Sequence, residues 1–421
     1  MLGPILCLGG EKVSLLFGMK LAAGVLAAYG LCSARAQEQT PADLSRHRYV
    51  LGSIGSGKTM WLIHKLVESL SEGICSIWVS THGANQVYRY LPEGVDVRYI
   101  HPYRRLGINL LRQHKHTLAE RSLIAAQAIT VFKRLFPTAM GEAMVELCHA
   151  ACLELLERAQ RTKEEVTLWD LYCLLREQAP SESANPIVVD ILDRREKRTQ
   201  GAMLRRLSRP LANELLQRCL SAKGENALDL STLIDPPGYP ILYLFDVDKG
   251  TIGKENADLL CHIITSHLEV VLNARHGHER QVHLYYDEFQ TYAHEGLSET
   301  VEEARKRNYC LTLAHQSRGQ LPRRLAEAAE LCASQYFFTL RPQDSVYAAK
   351  TVNRKEFPKE TFISLPPRWI VSRELRNGRF TVSKQRTPTM HPLRGGIPDT
   401  FVAKSDVETL TLPRMDGRSQ R

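Results

Sequence analysis

Apolar and polar positions divide the chain into three stretches. In the first, Arg48-Tyr-Val-Leu51 reads as a short apolar strand, and Met60-Trp-Leu-Ile-His-Lys-Leu-Val67 carries apolar residues at helical spacing. Ser76-Ile-Trp-Val-Ser80 predicts a second buried strand, and Val95-Asp-Val-Arg-Tyr-Ile100 a third, alternating one. From 109 to 230 the character changes. Thr117–Phe136, Gly141–Gln160, Thr167–Glu177 and Gly201–Leu220 are helical in period, with Pro137 and Pro180 between them. Pro236-Pro237-Gly238 then returns the chain to an alternating order. Strands are predicted at Ile241–Asp246, Val282–Asp287, Cys310–Ala314 and Tyr336–Leu340, with helices at Glu255–Arg275 and Leu297–Asn308.

Strand–helix alternation implies an α/β fold built on a mostly parallel, three-layer sheet. The expected organisation is an α/β core formed by 41–108 and 231–383, an all-helical insertion at 109–230, a leader or anchor at 1–40, and a flexible basic tail at 384–421.

Between the first strand and the first helix lies Gly52-Ser-Ile-Gly-Ser-Gly-Lys-Thr59, which fits G-x-x-x-x-G-K-[ST]. Chemistry explains the pattern. Glycines at 52, 55 and 57 let backbone N–H groups close on phosphate, with Ser53, Ile54 and Ser56 completing the cradle. Lys58 reaches the β- and γ-phosphates, Thr59 holds Mg²⁺, and the helix N-terminus adds partial positive charge. ATP and Mg²⁺ are therefore the expected cofactors.

Such a loop needs an acid on a neighbouring strand and a group that activates water. Ile241–Phe245 ends in Asp246, with Asp248 beyond it and no following base. Leu284-Tyr-Tyr ends in Asp287-Glu288, two adjacent carboxylates. Asp287 is expected to hold the Mg²⁺ shell and Glu288 to act as general base. Arg305 lies in Glu302-Glu-Ala-Arg-Lys-Arg307, where helical ion pairs and an arginine finger explain the charges equally well. Gln316, at the end of the next strand, is either a γ-phosphate sensor or an ordinary strand-end amide.

A net charge of +9 suits a nucleic-acid or anionic-membrane partner. Arg194, Arg195, Lys197, Arg198, Arg205, Arg206 and Arg209 concentrate it in the helical stretch, as a solvated face or as a substrate contact. The ten scattered cysteines form no C-x-x-C pair, which argues against disulfides or zinc and for a reducing compartment. Val13 to Cys32 is long and mostly apolar but contains Lys20, so it reads as a membrane anchor or as a leader without structural role. An anchor there, followed by Arg35, Arg46 and Arg48, keeps the domain cytoplasmic, on the inner face of the membrane.

Taken in order, these motifs resemble those of the HerA–FtsK superfamily of DNA-pumping P-loop ATPases, and most of all the type IV secretion and conjugative coupling proteins of the TraG/TraD kind. The resemblance is carried by Arg46-His-Arg-Tyr-Val-Leu-Gly-Ser-Ile-Gly-Ser-Gly-Lys-Thr59, by Ile241-Leu-Tyr-Leu-Phe-Asp-Val-Asp-Lys-Gly-Thr-Ile-Gly-Lys-Glu-Asn256, by Tyr286-Asp-Glu-Phe-Gln290, and by Glu303-Ala-Arg-Lys306 followed by Leu311-Thr-Leu-Ala-His-Gln316. It implies a RecA-like core and a homo-hexameric ring around DNA bound without sequence preference. It also implies a transfer apparatus or relaxase-type protein as partner. By motif position it makes Lys58 and Thr59 Walker A, Asp287 and Glu288 Walker B, Arg305 a trans finger and Gln316 a sensor. Two departures stand out. Ser80-Thr-His-Gly83 replaces an Asp-Pro-His-Gly type turn, and one weak N-terminal apolar segment stands where two are common. The alternatives are a soluble HerA-like helicase or translocase, a filamentous-phage-type assembly ATPase, and a nucleotide-gated scaffold that hydrolyses little.

Overall fold

The computed structural model describes residues 47–398, apart from 83, 104–106, 137–139, 178–180, 229, 231–240, 294–296 and 377. The segment 13–32, the turn residue Gly83 and the breakers Pro137, Pro180 and Pro236–Gly238 lie outside the described residues. Two compact units are present.

The first unit takes in residues up to Tyr99, then 231–248 and 271–397. Its sheet has nine strands: β1 (Arg48–Leu51), β2 (Cys75–Ser80), β3 (Asp96–Ile100), β4 (Ile241–Asp246), β5 (Val282–Tyr286), β6 (Tyr309–His315), β7 (Ser334–Phe337), β8 (Trp369–Arg376) and β9 (Arg379–Arg386). They lie in the order β3-β4-β2-β5-β6-β1-β7-β8-β9. Pairs β4/β2, β2/β5, β5/β6, β6/β1 and β1/β7 are parallel, while β7/β8 and β8/β9 are antiparallel. β1, β2, β4, β5, β6 and β7 are buried along their whole length, so they are largely apolar, although β7 opens with Ser334-Gln335 and β6 carries Thr312 and His315. Helix α1 (Lys58–Ser71) lays Trp61, Leu62, Ile63, Leu66, Val67 and Leu70 into the core. Trp61 meets Tyr336 of β7 with ring centroids 4.2 Å apart, and Trp78 of β2 stacks on Tyr285 of β5. In this sheet the ends of β1, β5 and β6 are neighbours, so the three motif-bearing loops emerge side by side.

The hairpin β8–β9 was not anticipated. Every residue of β9 but one is exposed, so its basic, polar sequence hides the strand. The tail boundary at 383 falls inside β9 and is corrected. Past Arg386 the chain continues along the segment 85–92. The N–H groups of Leu393 and Arg394 donate to the Arg89 carbonyl at 2.8 and 3.0 Å, and the Ile397 N–H donates to Asn85 Oδ1 at 3.0 Å. Backbone hydrogen bonds order this stretch despite its composition.

The second unit comprises residues 100–230 and 249–270. Its helices are Leu118–Leu135, Glu142–Thr162, Leu168–Glu177, Pro186–Asp193, Lys197–Leu211 and Glu214–Leu220. Helix Lys254–Asn273 joins this unit over most of its length, where Glu269 pairs with Arg134 at 2.8 Å. One helix was expected over 201–220 and two are found. Pro210 closes the first, and Asn213 caps the second by accepting from the Leu216 N–H at 3.1 Å. Helix Pro186–Asp193, which was missed, carries the same signal: an Asn185 cap followed by Pro186 at its first turn. Of the basic residues in this unit, Arg194 pairs with Asp190 at 2.6 Å and Arg209 with Glu255 at 2.9 Å.

Candidate functional site

The phosphate loop hangs between two strands that flank β1. The Gly52 N–H donates to the His315 carbonyl at the end of β6 (3.3 Å), and the Ser53 N–H donates to the Thr339 carbonyl beyond β7 (2.8 Å). Gly52 is confined: a Cβ there would lie 2.6 Å from Phe338 Cβ and 2.9 Å from Ser56 Oγ. Gly57, at φ +104°, turns the chain into α1 in a conformation that only glycine adopts without strain. The loop tip at Ile54 is 78% exposed.

Lys58 is buried, and its Nζ donates to the Gly52 carbonyl at 2.7 Å and the Ser53 carbonyl at 3.0 Å. Burial lowers the pKa of its ammonium, while the nearby charges of Asp287 and Glu288 act against that. Thr59 Oγ1 donates to Asp287 Oδ2 at 2.8 Å. Burial raises the Asp287 pKa, the Thr59 hydrogen bond opposes that, and the Glu288 charge adds to it. A carboxylate so poised gains from a cation beside it.

Glu288 follows with φ +56°, a left-handed backbone at a non-glycine residue. Such strain persists only where surrounding contacts impose it, and it concentrates at functional sites. Here the turn aims the carboxylate at β6. Gln316 Nε2 donates to Glu288 Oε1 at 3.0 Å and Oε2 at 2.8 Å, and Gln290 Nε2 also donates to Oε2. Behind Gln316, His315 is fully buried, with Nε2 2.8 Å from Tyr49 Oη and Nδ1 3.0 Å from the Ser317 carbonyl. Burial pushes its pKa down to about 3, so the ring is neutral and anchors the strand end.

Lys58, Thr59, Asp287, Glu288 and Gln316 thus form one constellation, with Gly52, Ser53, Ile54, Gly55, Ser56 and Gly57 forming the loop beside them. The side chain of Arg305 lies outside the described residues. Its backbone sits in a 3-10 turn, Ala304–Arg307, where the sequence had predicted continuous helix to Asn308; Asn308, at φ +54°, ends it. Asp246 lies apart from the site, with β2 between β4 and β5, and accepts from Tyr99 Oη at 2.7 Å. Gln290 was missed, although it closes the Asp287-Glu-Phe-Gln290 run: an amide two residues beyond the base can fold back on it.

The residues fit a Mg²⁺–nucleotide. A threonine hydroxyl and a partly buried carboxylate 2.8 Å apart are hard oxygen donors of the kind Mg²⁺ takes. Ser56 Oγ is buried without a partner in the loop, beside a lysine that bonds only loop carbonyls. Among the described residues no group of three or more His, Cys, Asp and Glu could hold a metal ion, and every described cysteine is a free thiol.

No family model matches the sequence, and no curated protein does. Solved structures match at the level of fold. The plasmid coupling protein TrwB in complex with a non-hydrolysable GTP analogue aligns at TM-score 0.59 and 13% identity, covering 88% of this chain and 94% of TrwB. TrwB with ADP and Mg²⁺ aligns at TM-score 0.59 and 14% identity, covering 87% and 94%. VirB4 of Thermoanaerobacter pseudethanolicus aligns at TM-score 0.58 and 14% identity, covering 82% and 90%. The chain has the RecA-like P-loop fold of TrwB and VirB4, as the order of its motifs led one to expect.

Proposed function

We propose that the chain is an ATP-hydrolysing motor of a type IV secretion or conjugative transfer system, driving DNA or a DNA–protein complex into the transfer channel. One observation carries the reading. Glu288, held by Gln316, stands beside the Thr59–Asp287 pair at the mouth of a phosphate loop, within a fold shared with a conjugative coupling protein that binds ADP and Mg²⁺.

In this reading Lys58 neutralises the β- and γ-phosphates, and Thr59 and Asp287 hold Mg²⁺. Glu288 takes the proton of the attacking water. Gln316 bonds the base directly, so it is placed to relay the loss of the γ-phosphate. Arg305 completes a neighbour's site in a homo-hexameric ring. A net charge of +9 suits backbone-phosphate binding without base readout. Residues 13–32, an anchor or a leader by their sequence, lie outside the described residues, and among those no helix is long and apolar enough to cross a membrane.

The test is ATP turnover of the wild type beside Glu288→Gln, with single- and double-stranded DNA across a salt series. Stimulation that fades with salt and is absent from the variant supports the motor. A second reading, an apparatus ATPase that does not move DNA, draws on the comparable likeness to VirB4; turnover indifferent to both strand forms selects it. The finger is tested by mixing Arg305→Ala with Glu288→Gln subunits. Partial recovery of activity supports a trans role, and no recovery at any ratio assigns Arg305 to a structural ion pair.

A further inference from the structure

The base and the sensor both lie on the β5/β6 side of the phosphate loop, so the terminal phosphate of a bound nucleotide points that way. Its nucleoside end must leave past the opposite side, where Arg368 sits at the start of β8. Arg368 has φ +68°, a strained backbone for a non-glycine residue. Two hydrogen bonds hold it there: its N–H donates to the Ser56 carbonyl at 2.9 Å, and its carbonyl accepts from the Thr387 N–H at 2.7 Å. The side-chain stem lies along the loop, with Cγ 3.3 Å from the position a Gly57 Cβ would occupy. At its end the guanidinium donates to the Pro388 carbonyl at 3.2 Å and Thr389 Oγ1 at 2.9 Å, both neutral acceptors at an exposed site. A cation whose backbone is locked onto the loop, and whose head group rests on two neutral oxygens, is placed to exchange them for an anion.

We propose that Arg368 is a nucleotide-binding residue whose guanidinium takes the α-phosphate of a nucleoside di- or triphosphate. The inference rests on the reading of the loop as a nucleotide site. ADP and ATP share the α-phosphate, so Arg368 serves both equally, unlike a residue on the γ-phosphate side.

Arg368→Gly isolates the side chain, because glycine keeps the N–H that bonds Ser56 and accepts the positive φ without strain. Fluorescent ADP and ATP analogues are titrated with Mg²⁺ into the full chain. Both affinities are expected to fall by a common factor of about 10 to 100. The melting temperature without nucleotide does not drop. Arg368→Lys keeps both the charge and the strained backbone but loses the planar fork, and is expected to fall between. Unchanged ADP affinity in Arg368→Gly, a loss confined to ATP, or a lower nucleotide-free melting temperature that accounts for the loss overturns the proposal. A wild type that binds neither nucleotide overturns the nucleotide-site reading itself, a result distinct from any of these.

Discussion

On the β5 and β6 side the site is joined mainly by side chains, Thr59 on Asp287, Gln316 on Glu288 and His315 on Tyr49, besides the Gly52 N–H on the His315 carbonyl. Towards β7 and β8 it is met by backbone: the Ser53 N–H on the Thr339 carbonyl, the Arg368 N–H on the Ser56 carbonyl. The first kind of contact demands particular residues and so leaves a motif. The second can be made by almost any residue and leaves none. A site can therefore be half visible in its sequence while being equally well built on both sides. The difference also says where substitutions bite: identity matters on one side, shape on the other.

The largest effect is expected where identity matters most. Glu288→Gln keeps the size and hydrogen-bonding reach of the side chain and removes the basic oxygen. ATP turnover should fall by about 10² to 10⁴ while nucleotide affinity is retained. Turnover within a few-fold of wild type would remove Glu288 as base. Next come the amides that hold it. Gln316→Ala frees the Glu288 carboxylate from two contacts at 2.8–3.0 Å, and about a tenfold loss of kcat with little change in KM is expected. Gln290→Ala, which leaves the Gln316 contacts in place, should cost less. Equal losses in the two variants would show a shared structural role instead.

How much was legible follows the same division. The strands of the buried core announced themselves through largely apolar runs. The Lys58, Thr59, Asp287 and Glu288 constellation followed from residue types at the ends of those strands, whereas Gln316 read equally well as an ordinary strand-end amide. Arg368 could not be found this way: it stands in Pro366-Pro-Arg368, one arginine among many, and its importance comes from a backbone hydrogen bond and a positive φ. The β8–β9 hairpin was obscured because β9 faces solvent and carries Arg379, Lys384 and Arg386. The dipeptide Asn377-Gly378 was its one local signal. In the helical unit the period located most helices but said nothing of function, since the same exposed arginine serves a solvated face or a contact, and Arg194 and Arg209 already have acidic partners.

The shape-dependent side yields a smaller and sharper test. In Gly52→Ala the added methyl would stand 2.6 Å from Phe338 Cβ, and neither backbone can yield without breaking the ladder on either side of β1. A destabilisation of about 1–3 kcal/mol is expected from denaturant unfolding, with weakened nucleotide binding. Ser53→Ala removes a side chain whose backbone N–H makes the contact with Thr339, and should be within about 0.5 kcal/mol of wild type. If the two substitutions cost the same, the loop is not held by close approach.

His315 joins the two sides, because its carbonyl receives the Gly52 N–H while its ring bonds Tyr49 and Ser317. Its contribution can be read from pH. Burial takes its pKa from the ordinary 6.5 to about 3 in the folded chain. Between these values the unfolded chain carries a proton there that the folded chain refuses. The stabilisation is complete above pH 6.5 and is lost as pH falls towards 3, by about 1.4 kcal/mol for each unit of pH. His315→Gln lowers stability at neutral pH through the lost ring contacts, but it has no proton to refuse. Its stability should therefore fall less steeply with acid, by about one proton, than that of the wild type. Other buried histidines such as His64, whose pKa burial also lowers, titrate in both proteins and cancel in the comparison. Parallel stability curves from pH 7 down to pH 4.5 would mean that His315 accepts its proton without loss of structure. The Tyr49 and Ser317 contacts would then not be what positions Gln316 against Glu288.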